Sequence, residues 1–112
     1  MKIPKKVRVA GHTYKVQWEN ERLGREHRSG DCHHGTHVIS MSDRCHDGQL
    51  ADGTEIEDTF IHEILHCVDT QYNHGALTEE QVVRLSTGLH QVLGDLGWLP
   101  RVDINSKGGK RC

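Results

Sequence analysis

The chain lacks any run of 18 consecutive apolar residues, and its start, Met1-Lys2-Ile3-Pro4-Lys5-Lys6, has no apolar stretch of the kind a secretory leader carries. Neither membrane insertion nor export is therefore expected, and the cytoplasm is the expected compartment. Strong charge of either sign is missing too, the formal net charge being −2. No basic stripe marks a nucleic-acid surface. Lys2, Lys5, Lys6 and Arg8 at one end, and Lys107, Lys110 and Arg111 at the other, read as solvated termini. Cys-x-x-Cys and Cys-x-x-His knuckles are absent, and the cysteine spacings show no disulfide framework. Cys32, Cys45, Cys67 and Cys112 are thus expected to stay thiols. Internal repeats are also absent.

What is present is a soluble globular composition, 34% hydrophobic and 27% charged over 112 residues. That length supports one domain with one modest core, expected over residues 1–100, with a flexible Gly/Lys tail over 101–112. Val7-Arg8-Val9-Ala10 and Tyr14-Lys15-Val16-Gln17-Trp18 alternate apolar with polar residues around a turn at Gly11-His12-Thr13, which predicts a β-hairpin. Residues 19–35 read as a loop, Thr36–Met41 as a further strand and Ser42–Gly53 as a second loop. A helix is expected from about Gly53-Thr54-Glu55 to Tyr72, stopped by Asn73-His74-Gly75. Thr78-Glu79-Glu80-Gln81 has the form of a capping box. It opens a second helix with Val82, Leu85, Leu89, Val92, Leu93 and Leu96 on one face, ended by Gly97 and Pro100. The expected fold is α+β, a short antiparallel sheet packed on two antiparallel helices.

The first helix contains His62-Glu63-Ile64-Leu65-His66. Residues four apart on a helix lie one turn above one another, so His62 and His66 can offer two imidazole nitrogens to one tetrahedral ion, with zinc the expected cofactor. Glu63 falls beside the ion rather than on it. There its carboxylate can take a proton from zinc-activated water and pass it to a leaving amine, which is peptide-bond hydrolysis. Phe60, Ile61, Ile64, Leu65 and Val68 form an apolar stripe beside the one carrying His62, His66 and Asp69. Histidines interrupting an apolar run are costly to bury unless a ligand satisfies them.

Catalytic zinc usually has three protein ligands and an open position. Gly and His at the positions of Asp69 and Tyr72 would complete the longer metzincin pattern, and neither is there. The third ligand is then expected among Glu79, Glu80 and His74. Glu79 sits three residues before Val82, on the edge of the face that docks against the first helix, and is favoured over Glu80, which is rotated further round. His74 requires a sharp bend at the helix end. Asp69 can accept the second N–H of a ligand histidine. His90 shares a face with Glu79 but lies three turns away, which suits packing better than ligation. Cys32, His33, His34, His37, Cys45 and His46 form a dense cluster whose thiols and imidazoles raise a second, structural zinc, but without zinc-knuckle spacing they read as loop residues. Tyr72, His74 and His37 are the candidates to steady an oxyanion, and the edge of strand 36–41 could bind substrate backbone.

Thr59 to Asp69, followed by Leu77 to Leu89, resembles small phage- and prophage-encoded zinc metallopeptidases of the minimal gluzincin type, which are similar in turn to the ImmA/IrrE peptidases. The resemblance extends over residues 6–98 and includes a Gly-x-Cys loop at Gly30-Asp31-Cys32. It implies His62, His66 and a second-helix glutamate as ligands, Glu63 as general base, and a short sheet on two helices. Within it, Leu77-x-Glu79-x-x-Val82 points to Glu79, with Glu80 at the more variable position. A phage origin would place the protein in the host cytoplasm with a peptide or protein substrate. The alternative is a non-catalytic regulatory protein in which the same zinc staples a small core. Glu63 favours catalysis, because a structural site needs no base and usually carries four protein ligands.

Overall fold

Residues 3–45 and 47–99 are described in a computed structural model of the chain. His46, Cys112, Pro100 and the tail expected over 101–112 lie outside the described residues. Strands β1 (Lys6–Val9) and β2 (His12–Trp18) form the expected hairpin, with Val9 opposite His12. Its turn is Ala10-Gly11, at φ 53° and 81°. Positive φ at both central residues gives the turn the twist that hairpin strands require. Val9 and Tyr14 enter the core from this hairpin, with Val7 and Val16 partly buried beside them.

Where a loop is expected over 19–35, the chain forms helix α1 (Asn20–Arg25) and strand β3 (Gly30–His33). Leu23 is fully buried and anchors α1. Arg22 holds the segment together by gripping Glu19 and Glu26 on its own turn and Asp31 through both carboxylate oxygens, at 2.9 and 3.2 Å. Strand β4 (Val38–Met41) lies within the expected 36–41 span.

The sheet order is β1-β2-β4-β3. The α+β class holds, but the sheet is mixed rather than wholly antiparallel. β4 runs antiparallel to β3 and parallel to β2. The reason is the extra α1–β3 segment, which carries the chain across and back so that β4 re-enters in the direction of β2. Cys45 is disulfide-bonded, so the expectation of four thiols fails there, while Cys32 and Cys67 are free.

Helix α2 (Gly53–Tyr72) is capped by Asp52, whose side chain accepts from the backbone N–H groups of Thr54 and Glu55. Its fully buried face runs Ile56, Phe60, Glu63 and Cys67, a row of spacing 4-3-4 that meets Tyr14, Ile39 and Met41 of the sheet. The expected stripe through Val68 is therefore displaced. Ile64 is only partly buried against the core, and Val68 is exposed. At the other end His74 takes the left-handed conformation, φ 57°, and the Gly75 N–H bonds to the Asp69 carbonyl. The left-handed residue and the backbone bond closed across it stop the helix.

Helix α3 (Glu79–Asp95) starts with the reciprocal capping box of Thr78 and Gln81, at 3.1 and 2.8 Å. It meets α2 through Val82 and Ser86, both buried, and through His90, whose Nε2 lies 2.9 Å from Oε1 of fully buried Glu57. The expected face is corrected here: Leu85, Leu89, Val92 and Leu96 are 43% to 54% exposed. The polar contacts of Glu79 and His90 with α2 turn the helix so that its 79-82-86-90 row faces inward. No helix among the described residues is long and apolar enough to cross a membrane.

Candidate metal centre

His62 and His66 project from the same side of α2 with their Nε2 atoms 3.1 Å apart. Glu79, first residue of α3, closes the triangle, with Oε1 2.9 Å from His62 Nε2 and Oε2 2.9 Å from His66 Nε2. Three potential ligand atoms thus converge in a group that could hold a metal ion. A tetrahedral ion with bonds of about 2.0–2.2 Å keeps neighbouring donors about 3.3–3.5 Å apart, so an outward shift of roughly 0.3 Å accommodates it. Burial holds His62 below the ordinary imidazole range, outweighing the opposing pull of Glu79, and the neutral ring is the form that ligates. Two aromatic nitrogens and a carboxylate suit a zinc-class ion.

The geometry of the turn explains why Glu79 arrives and the alternatives do not. His74 serves as the residue that ends α2, is exposed, and stands outside the donor group. Glu80 faces solvent and pairs with Arg84 one turn on. Asp69 is buried but makes no hydrogen bond to either ligand ring among the described residues. Its Oδ1 instead accepts from Asn73 Nδ2 at 2.9 Å and from the Leu77 N–H at 3.2 Å. The carboxylate therefore holds the connection that delivers Glu79, a positioning task rather than the tautomer-fixing one expected for it.

The triangle opens into a cavity of about 610 Å³ whose wall includes Arg28, Gly30, Asp31, Asp58, Thr59 and Glu63. That volume falls within the ordinary range for ligand pockets. Glu63 is 5% exposed. Burial pushes its carboxyl up to about 8, the charges of Asp31 and Glu79 add to the rise, and Arg28 opposes it. Gly30 is what lets β3 pass so close. A Cβ there would stand 2.9 Å from Thr59 Cγ2, 3.1 Å from the Ser40 carbonyl oxygen and 3.4 Å from Glu63 Cγ. Asp58, one turn before His62, has a buried Oδ1 with no hydrogen-bond partner among the described residues. Such an oxygen is suited to accept from water in the cavity.

The sequence reading passes over Asp58, Arg28 and Asp31. A partial signal for Asp58 exists, since it lies four residues before His62 and hence on its face. His34 also lines the cavity, whereas the three oxyanion candidates do not. Tyr72 is 68% exposed, His74 ends the helix, and His37 stacks on His12 at a ring separation of 4.5 Å. Comparison of the chain with protein-family models, curated proteins and solved structures gives no match.

Proposed function

We propose that the protein is a zinc-dependent metallopeptidase, and the observation that carries this reading is a buried glutamate set beside a three-donor triangle on the wall of an open cavity. A zinc ion held by His62, His66 and Glu79 would supply Lewis acidity toward a scissile carbonyl and acidify a water molecule. Glu63, buried beside the triangle, would accept the water proton and return it to the departing amine nitrogen. Arg28 and Asp31 line the same cavity and offer hydrogen bonds to a peptide backbone. Three protein donors leave a coordination position open, as hydrolysis requires and a closed structural site does not.

The test is metal analysis by mass spectrometry on the wild type and on Glu79→Ala, Glu80→Ala and Glu63→Gln, each then assayed on a diverse peptide library. The expected result is loss of the zinc equivalent held by His62, His66 and Glu79 in Glu79→Ala alone. Glu63→Gln keeps its zinc and loses cleavage by about 10²–10⁴-fold. Stoichiometric zinc without cleavage of any peptide by the wild type would overturn the peptidase reading in favour of a zinc-stapled binding protein. A Glu79→Ala protein with the same zinc stoichiometry as the wild type would overturn the ligand set.

A further inference from the structure

A second convergence of ligand atoms sits behind the first and shares none of its donors. Cys32 on β3 and Cys67 on the core face of α2 bring their sulfurs to 3.2 Å. His34, just past the end of β3, places Nδ1 3.5 Å from Cys32 Sγ. The three donor atoms lie within 4.8 Å of one another. Only part of this group is legible in the sequence: Cys32 and His34 fall in the His/Cys-rich stretch, but Cys45 and the neighbouring histidines are not their partners. Cys67, 35 residues away, is.

Around one ion with bonds of about 2.3 Å to sulfur and 2.0–2.1 Å to nitrogen, tetrahedral geometry sets S···N near 3.5 Å and S···S near 3.8 Å. The spacing from Cys32 Sγ to His34 Nδ1 matches the first value, and the second needs the sulfurs to part by roughly 0.6 Å. The imidazole is already oriented for ligation. Its Nε2 lies 3.1 Å from Thr70 Oγ1, so with the proton on Nε2 the ring donates to that hydroxyl and turns the Nδ1 lone pair toward the sulfurs. The Tyr14 hydroxyl, 3.4 Å from Nδ1, accepts from Gln71 Nε2 at 2.9 Å and completes the surrounding polar shell. Cys67 and Tyr14 are fully buried, while Cys32 and His34 reach the cavity wall.

We propose that Cys32, His34 and Cys67 form a second, thiolate-rich metal site that takes a soft ion of the zinc class. Two sulfurs and one imidazole select for such ions over magnesium or calcium. Binding displaces the two thiol protons to solvent and joins each sulfur to the ion, with no change of oxidation state. An ion there would fasten β3 to α2 beside the cavity that Cys32 and His34 line.

The experiment is titration of the reduced, metal-free full chain with cobalt(II), followed by absorbance and by counting the thiols open to a disulfide reagent. Wild type is expected to take up two equivalents, to develop a thiolate-to-cobalt charge-transfer band, and to lose two reactive thiols when loaded. Glu79→Ala is expected to lose one equivalent and keep the band; Cys32→Ser is expected to lose the band and keep the other equivalent. Should Cys67→Ser fail to fold, the wild-type thiol count and the Cys32→Ser spectrum still decide. A wild type that binds a single equivalent without the band overturns the proposal, as does a band that survives Cys32→Ser. A single equivalent lost in Glu79→Ala with the band unaffected leaves the two sites independently established.

Discussion

Gly30 lets β3 pass close against Thr59 and Glu63 of α2, and Gly30→Ala tests whether that approach is needed. Its backbone is not in the left-handed region, so alanine meets no torsional strain and the effect comes from contact alone. The added methyl would meet Thr59 Cγ2 at 2.9 Å and the Ser40 carbonyl oxygen at 3.1 Å. The threonine methyl can rotate away. The carbonyl belongs to β4, the strand paired with β3, and cannot move without disturbing the sheet. Overpacking of this kind costs about 1–3 kcal/mol. Loss of glycine freedom in the unfolded chain returns about 0.4–1 kcal/mol. The net expectation is destabilisation by about 1–2 kcal/mol, or a fall in Tm of about 5–15 °C for a domain of this size. Scanning calorimetry measures it, with Gly24→Ala as the control. Gly24 lies in α1 with nothing within 4 Å of an added Cβ, so alanine there is expected to be neutral or to gain up to about 1 kcal/mol. Adding Thr59→Ser to Gly30→Ala removes the closest contact and is expected to recover part of the loss, a coupling readable from a double-mutant cycle. A Gly30→Ala protein within about 0.5 kcal/mol of wild type would refute the close approach of β3 to the helix.

Asp69→Ala should weaken zinc binding about tenfold while leaving all three donors in place, because it frees the Leu77 N–H and Asn73 that set the start of α3. Asp69→Asn keeps the Oδ1 acceptor and should bind zinc nearly as the wild type does. Competition with a chromophoric chelator reads both, and equal affinity in Asp69→Ala would discard the positioning role. Hydrogen bonds from Arg22 and Ser40 hold Glu19 below its ordinary value of 4.5. A depressed carboxylate contributes stability that is fully present above the unfolded value and is lost as pH falls through the folded one. Glu19→Gln is therefore expected to flatten the dependence of Tm on pH below about 4.5, and an unchanged acid limb would rule the network out as its source.

Local chemistry made much of this fold legible. Asn73 to Gly75, Thr78 and Gln81 mark helix ends by hydrogen bonds close along the chain, and α2 and α3 occupy the expected spans from Gly53 to Tyr72 and from Glu79 onward. The alternation of Val7, Val9, Tyr14 and Val16 sufficed for the hairpin. Placement of Glu79 rested on its nearness to Val82, and these two residues do meet α2, although the rest of the expected apolar face does not. Elements held from a distance were not legible. β3 has no apolar alternation, and it exists because Arg22 grips Asp31, Gly30 clears Thr59 and β4 supplies a ladder. The orientation of α3 was misjudged because a hydrophobic count cannot foresee that His90 will seek Glu57, which leaves four apolar side chains outward. Cys32 and Cys67 meet only through the tertiary fold.

The three donors of the first triangle all come from one helical hairpin, between positions 62 and 79. Contacts of such short sequence separation close with little loss of chain entropy, whereas aligning β4 with β2 must first close the longer loop through α1 and β3. The donor atoms and the part of the cavity wall that β3 supplies therefore belong to different parts of the folding process. α2, its turn and α3 form a short-range module, joined by contacts close along the chain. β3, bringing Gly30, Asp31 and Cys32, is the long-range partner that turns an exposed cluster of donors into a site with an inside.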